Sequence, residues 1–209
     1  MAPHQNERHR HSIRLRGFDY REAEAYFITV CTVNRQCLFG AILDGAMELN
    51  SLGEIITDEW HRTAIMRPRV SLDAFVIMPN HVHGIVCLNE DEEGKARLAP
   101  TMARFGRPVG GSLSTIVGAF KSASTKRINE LRGTRGAPLW QKNYFDHVIR
   151  HEQELDQVRE YITFNPARWS EDANNPNRSV ASRPQSEFNN IFVGARRALP
   201  LSTATTKPQ

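Results

Sequence analysis

Two apolar runs, Val70–Met78 and His81–Leu88, are separated by nothing but Pro79-Asn80, and this spacing constrains the fold more than any other feature of the chain. Each run is rich in β-branched and aromatic residues and reads as a strand; a two-residue connection then makes the two an antiparallel pair. The second run opens on His81-Val82-His83. Successive strand side chains point to opposite faces, so residues two apart share one. The hairpin therefore presents two imidazoles on one face, where a single metal ion can take both. The spacing permits chelation without requiring it, since strand histidines also serve as hydrogen-bonded structural residues.

The remaining elements fall around this hairpin. Tyr26 to Val33 is dense in β-branched and aromatic residues and reads as a strand buried on both faces. Leu38 to Asn50 holds an Asp44-Gly45 turn between short apolar patches, a hairpin excursion. Ser51-Leu52-Gly53-Glu54 has capping-box spacing, and Leu52, Ile55, Ile56 and Trp60 follow at helical intervals. Asn89 to Gly111 lacks periodicity and reads as a long loop. Ser112 is placed to cap a second helix whose apolar stripe is Leu113, Ile116, Val117, Phe120, Ile128 and Leu131, ending near Gly133, with Lys121, Lys126, Arg127 and Arg132 on its other face. Asn143 to Ile149 reads as a fourth strand, and Glu152 to Asn165 as a third helix stopped by Pro166.

Leaving the excursion aside, the order is strand, helix, strand, strand, helix, strand. That is the split βαβ pattern of an α+β, ferredoxin-like antiparallel sheet with helices on one face, here with an added C-terminal helix. The first and third strands of that topology lie centrally, which puts the His-Val-His strand in mid-sheet. The expected organisation is a basic N-terminal arm over 1–24, one domain over 25–169, and a polar, loosely ordered tail over 170–209. A length of 209 residues suits one well-buried domain with appendages.

Lys and Arg outnumber Asp and Glu by 27 to 23, a balance that favours a polyanionic partner without demanding one. Cys31, Cys37 and Cys87 form neither a CxxC pair nor an even disulfide set, which fits a reducing compartment. The His- and Arg-rich start reads as neither signal peptide nor anchor. No apolar stretch approaches the roughly 18 residues of a membrane span, so a soluble intracellular protein with no membrane partner is expected.

On the third helix, Leu155, Val158 and Ile162 form a packing face, and Gln157, Tyr161 and Asn165 make a row one turn apart beside it. Laid over the sheet, this row would bring a phenol to the two histidines: a metal site with an oxygen nucleophile, as phosphodiester cleavage requires. Each component also has an ordinary reading. A lone tyrosine is usually a core residue, and Asn165 precedes Pro166, where asparagine is a common helix terminator. Tyr144, in Trp140-Gln141-Lys142-Asn143-Tyr144-Phe145, is the rival nucleophile, though its strand position suits packing or base stacking better. Lys121 is placed equally well to meet phosphate or solvent, and His61 and His147 read as structural.

These motifs resemble the HUH endonuclease superfamily, within it the single-tyrosine transposases of the IS200 type, and most of all the branch associated with repetitive extragenic palindromes (REP). The resemblance rests on Arg14-Leu15-Arg16-Gly17-Phe18-Asp19-Tyr20, Tyr26-Phe27-Ile28-Thr29-Val30-Cys31-Thr32, Met78-Pro79-Asn80-His81-Val82-His83, Gly118-Ala119-Phe120-Lys121-Ser122 and Tyr161-Ile162-Thr163-Phe164-Asn165-Pro166. It spans roughly residues 12–168. It implies metal ligation by His81, His83 and Asn165, with Mg²⁺ or Mn²⁺, and nucleophilic attack by Tyr161 through a 5′-phosphotyrosine intermediate. The implied partner is single-stranded DNA flanking a palindromic hairpin, handled by a monomer or homodimer in the bacterial cytoplasm, on the nucleoid when DNA is bound. Lys121, Lys126, Arg127, Arg14 and Arg16 would contact phosphates and Tyr144 a base. The rival expectations are a domesticated hairpin-binding protein that does not cut, a replication initiator or relaxase, and a hydrolase with a structural zinc.

Overall fold

The computed structural model describes residues 24–89 and 111–178. Four strands, β1 (Ala25–Cys31), β4 (Val70–Met78), β5 (His81–Leu88) and β6 (Phe145–Ile149), form one antiparallel sheet in the order β4-β5-β1-β6. A separate ribbon pairs β2 (Gly40–Leu43) with β3 (Ala46–Leu49) around Asp44-Gly45. The helices are α1 (Ser51–Ile65), α2 (Leu113–Arg132) and α3 (Glu152–Phe164). With β2 and β3 set aside, this is the ferredoxin-like arrangement expected from the element order, and β1 and β5 are its central strands.

Alternation along the central strands sorts the core into two halves. Tyr26, Ile28 and Val30 of β1 and Val82 and Val86 of β5 pack with Ile56 and Trp60 of α1 and with Ile116, Val117 and Phe120 of α2. Phe27 and Ile85 face the other way and pack with Val158 and Ile162 of α3. A strand buried on both faces needs apolar residues at successive positions, which is why β1 reads as a continuous apolar run. Gly84 belongs to the α1 side of β5. A Cβ there would sit 2.3 Å from the Trp60 ring, so only glycine lets the indole lie flat on the strand.

The helix ends depart in detail from expectation. The cap of α1 is Asn50, one residue before the expected Ser51: its side chain accepts from Leu52 N–H and Gly53 N–H at 3.0 and 3.1 Å. Its amide also donates to the Leu38 carbonyl at 2.9 Å. A carboxamide ties helix and ribbon together in both directions, which a serine hydroxyl one position on does not do here. At α2, Ser112 holds the cap position, but its hydroxyl bonds the Ser114 and Thr115 hydroxyls rather than a backbone N–H. Leu131, expected on the buried stripe, is 59% exposed. Ile128 and Asn129 take the inward positions of that last turn, and Gly133 closes it with φ +64°.

The fourth strand starts at Phe145, so Asn143 and Tyr144 precede it. Most of the expected loop (90–110), nearly all of the N-terminal arm (1–23) and the tail beyond 178 lie outside the described residues. Residues 166–178 do not: a 3-10 helix, Pro166–Glu171, carries the chain from α3 back towards β5. No helix among the described residues is long and apolar enough to cross a membrane.

Candidate active site

The site lies on the α3 face of the sheet, at the start of β5. His81 and His83 are fully buried there, paired across the strands with Cys31 and Thr29 of β1, and their Nε2 atoms are 3.0 Å apart. From α3, the Tyr161 hydroxyl reaches within 3.3 Å of His83 Nε2. Phe27 braces both groups, stacked on His83 at 5.3 Å and edge-on to Tyr161 at 6.0 Å between centroids. One turn beyond the phenol, Asn165 is buried and hydrogen-bonded to it, while its Oδ1 meets no hydrogen-bond donor among the described residues. The 3-10 helix then sets Trp169 beside His81, with ring centroids 6.0 Å apart, and Asp172 Oδ2 3.7 Å from His81 Nε2.

Hydrogen bonds fix how these rings point. The Asn80 amide donates to the carbonyls of Arg35 and Asn174 at 3.0 and 2.7 Å. Its Oδ1 therefore faces His81 Nδ1, at 2.8 Å, as an acceptor. His81 must carry its proton on Nδ1 and present a lone pair at Nε2. His83 Nδ1 meets the Thr29 hydroxyl at 2.8 Å. Asp172 is held from below, its Oδ1 accepting from the Asn174 N–H at 2.6 Å.

Burial dominates the electrostatics. It drives the His81 pKa down to about 3, helped by the Arg35 charge. Burial, then the neighbouring His81, holds His83 well below the ordinary imidazole range against the opposing pull of Asp172. Both rings are neutral at physiological pH, the form that ligates metals. Burial also pushes the Tyr161 pKa up, and the Asp172 carboxylate adds to this, outweighing the Asn165 hydrogen bond and the Arg168 charge. The phenol therefore keeps its proton unless positive charge is brought beside it.

His81, His83 and Asp172 offer ligand atoms that all lie within 4.8 Å of one another. Among the described residues, Asp172 Oδ2 and Asn165 Oδ1 are buried acceptors that meet no hydrogen-bond donor, an arrangement that costs free energy unless something electropositive meets it. Imidazole nitrogens with carboxylate and carboxamide oxygens suit a divalent cation. These residues fit one.

No family model matches the chain. It is 40% identical over 167 residues to an uncharacterized protein of Haemophilus influenzae, an alignment covering 78% of this chain and 92% of that one. The chain belongs to that protein's family. It is also 26% identical over 97 residues to the Haemophilus influenzae "Putative REP-associated tyrosine transposase", covering 46% of this chain and 48% of the relative. Among solved structures, a REP-associated tyrosine transposase bound to a REP hairpin is similar with a TM-score of 0.47 and 20% identity, over 72% of this chain and 71% of that one. The partial match to the REP-associated relative agrees with the family that the sequence motifs resemble.

Of the residues picked from sequence, His81, His83, Tyr161 and Asn165 come together. Tyr144 does not join them; it packs with the core on the α1 and α2 side of the sheet. Lys121 Nζ donates to the carbonyls of Gln141 and Lys142 at 2.6 and 3.1 Å, and Arg127 is paired with Glu59 and Asp58 at 2.8 and 3.1 Å. Lys126 is exposed, 4.0 Å from Glu130. Gln157 is exposed at the solvent end of its row, and His147 pairs with Glu154 at 2.7 Å. Arg14 and Arg16 lie outside the described residues.

Sequence reasoning missed Asp172, Asn80 and Thr29. Asp172 sits in a stretch whose composition reads as tail, and only the turn after Pro166 aims it at the histidines. Thr29 was legible in principle, because it lies two residues from Cys31 on a strand that must neighbour the His-Val-His strand.

Proposed function

We propose that this protein is a metal-dependent, single-stranded DNA endonuclease and strand transferase, a transposase that acts at hairpin-flanked sites through a 5′-phosphotyrosine intermediate. The observation that carries the reading is the Tyr161 hydroxyl, 3.3 Å from Nε2 of His83 in a buried pair of neutral histidines, beside two oxygens that meet no donor among the described residues. A tyrosine wanted only for packing has no need of that company. Resemblance in the motifs and in the REP-associated relative supports the choice of nucleic-acid substrate.

His81, His83, Asn165 and Asp172 would hold Mg²⁺ or Mn²⁺, which supplies charge compensation and Lewis-acid polarisation at the scissile phosphate when bound. The protein's own groups do the rest. Phe27 and the α3 packing fix the phenol against His83, and Asn165 hydrogen-bonds it so that its oxygen is aimed. Tyr161 Oη bonds to phosphorus as its proton leaves, the P–O3′ bond breaks, and the departing 3′ oxygen takes a proton. The phosphotyrosine conserves the phosphodiester energy, so a second 3′-OH can reverse the step on another strand without ATP. A phosphate stacked in a duplex cannot present this in-line geometry, which favours single-stranded substrate.

A covalent-adduct assay tests the reading: 5′- and 3′-labelled hairpin oligonucleotides with single-stranded flanks and Mn²⁺, resolved under denaturing conditions. The expected adduct carries only the DNA 3′ of the cut, is lost in Tyr161→Phe and survives Tyr144→Phe. Tight hairpin binding with no adduct in any metal would establish a domesticated binding protein instead. Cleavage unaffected by Tyr161→Phe would indicate a hydrolase using its metal otherwise.

A further inference from the structure

Basic side chains of the helices are largely engaged within the protein: Lys121 with two carbonyls, Arg127 with Asp58 and Glu59, and Arg159 with Asp73 and Asp156 at 2.6 and 3.0 Å. Arg35 is not. It is exposed in the turn after β1, and among the described residues its guanidinium meets no carboxylate, only the Ala173 carbonyl at 2.8 Å. Yet it lies at the site. Ala173 follows Asp172, and the Arg35 charge reaches both His81 and Cys31, the residue paired with His81 across the strands. Tyr161, on the His83 side, is reached instead by the Arg168 charge.

The backbone beneath Arg35 is fixed to that site. Asn34 and Arg35 both have φ +54°, a left-handed conformation that asparagine tolerates and a long side chain disfavours. The Arg35 N–H donates to the Thr32 carbonyl at 3.1 Å, the Thr32 hydroxyl to the Gln36 carbonyl at 2.9 Å, and the Asn80 amide to the Arg35 carbonyl at 3.0 Å. This is the carboxamide whose oxygen faces His81. An arginine kept in a strained turn that is tied to the site points to a use for its side chain. We propose that Arg35 is a substrate-binding residue that grips a phosphate of the bound single strand on the 5′ side of the cut. Tyr161 stands on the His83 side, and an in-line displacement sends the leaving 3′ oxygen out opposite it, towards His81 and Arg35. A guanidinium there donates to phosphate oxygens in a fixed fork and keeps the freed 3′-OH strand in place for the reverse step. The inference rests on the strand-cleavage reading above.

The test is binding of the full chain, with Tyr161→Phe preventing adduct formation, to the hairpin oligonucleotide with single-stranded flanks at several salt concentrations. Arg35→Asn should bind about 10-fold more weakly at low salt, the effect of losing one charged hydrogen bond. Its slope of log K against log salt should be shallower by about 0.7, one phosphate contact to a single strand. Arg35→Lys should restore the slope. Asparagine takes the left-handed backbone more readily, so the urea midpoint of Arg35→Asn should be no lower than the parent's, which a merely structural role would not allow. Should that variant fail to fold, Arg35→Gly, which also accepts the positive φ, takes its place. One neutral methylphosphonate is then moved along the flanks. At one position, 5′ of the cut mapped with wild type, the parent should lose affinity and Arg35→Asn should not. An unchanged salt slope in Arg35→Asn, or a sensitive position 3′ of the cut, overturns the inference. If wild type forms the adduct and Arg35→Asn binds like its parent, this inference alone fails; if wild type binds no oligonucleotide, it falls together with the proposed function.

Discussion

Gly84→Ala tests how the core behind the site holds its shape. The added Cβ would lie 2.3 Å from Trp60 Cζ2 and 2.6 Å from Cη2, about 1 Å short of ordinary contact. The indole has nowhere to retreat: it is 1% exposed, stacked on Phe75 at 5.8 Å and met edge-on by Phe120 at 5.5 Å. Strand β5 must therefore shift, and His83 is the next residue along it. Overpacking of a closed core costs about 1–3 kcal/mol, and a clash between backbone-fixed Cβ and an immobile ring belongs at the upper end. We expect a loss of about 2–3 kcal/mol in urea unfolding with an unchanged m-value. We also expect a fall in adduct formation of up to about 100-fold, the effect of a 1 Å misplacement of a reacting group. Gly84→Ala combined with Trp60→Leu should show a coupling energy of at least about 1 kcal/mol, because the smaller side chain removes the clash. A Gly84→Ala protein within about 0.5 kcal/mol of wild type would show that the ring or strand yields freely, refuting the reasoning.

Two further outcomes follow from the same geometry. Glu154 accepts from the Arg150 N–H and pairs with His147, and these outweigh burial to hold its pKa below the usual value of 4.5. A depressed carboxyl stabilises the fold above its unfolded pKa and stops doing so as pH falls through its folded one. Glu154→Gln should thus cost about 1–2 kcal/mol at pH 7, with the gap to wild type closing below about pH 4.5, as read by denaturation at several pH values; a gap constant with pH would exclude this role. Mn²⁺ at 100 times its Kd should raise Tm by roughly 5–10 °C. Mg²⁺ should do so less at equal concentration, because imidazole suits manganese better. The rise should vanish with a chelator or in His81→Ala, and no Mn²⁺-dependent rise in wild type would argue against a metal site.

Much of this was open to reading along the chain because the relevant interactions are local. Strand alternation put His81 and His83 on one face before any partner was known, and the Pro79-Asn80 connection made β4 and β5 a hairpin. The helical interval between Tyr161 and Asn165 is likewise a property of one segment. Helix caps were less legible: Asn50 displaced Ser51 because its amide also reaches Leu38, a contact between segments. The basic face of α2 shows the same limit. Periodicity separates Lys121 and Arg127 from the core stripe, but only packing reveals that one is bound to the carbonyls of 141–142 and the other to acids of α1.

Sequence by itself thus determined the element order, the α+β class and the shared face of the two histidines, since these follow from periods of two and 3.6 residues and from turn chemistry. Tertiary structure alone decided which tyrosine meets the histidines. Tyr144 and Tyr161 are both plausible in sequence, but they end on opposite faces of the sheet. It also decided that Asp172 turns back to the site, that Asn80 and Thr29 stand behind the two imidazoles, and that burial keeps both rings neutral. Each of these depends on atoms distant along the chain meeting in a space closed to water. No periodicity encodes such a meeting, and it holds both imidazoles below and the phenol above their ordinary titration ranges.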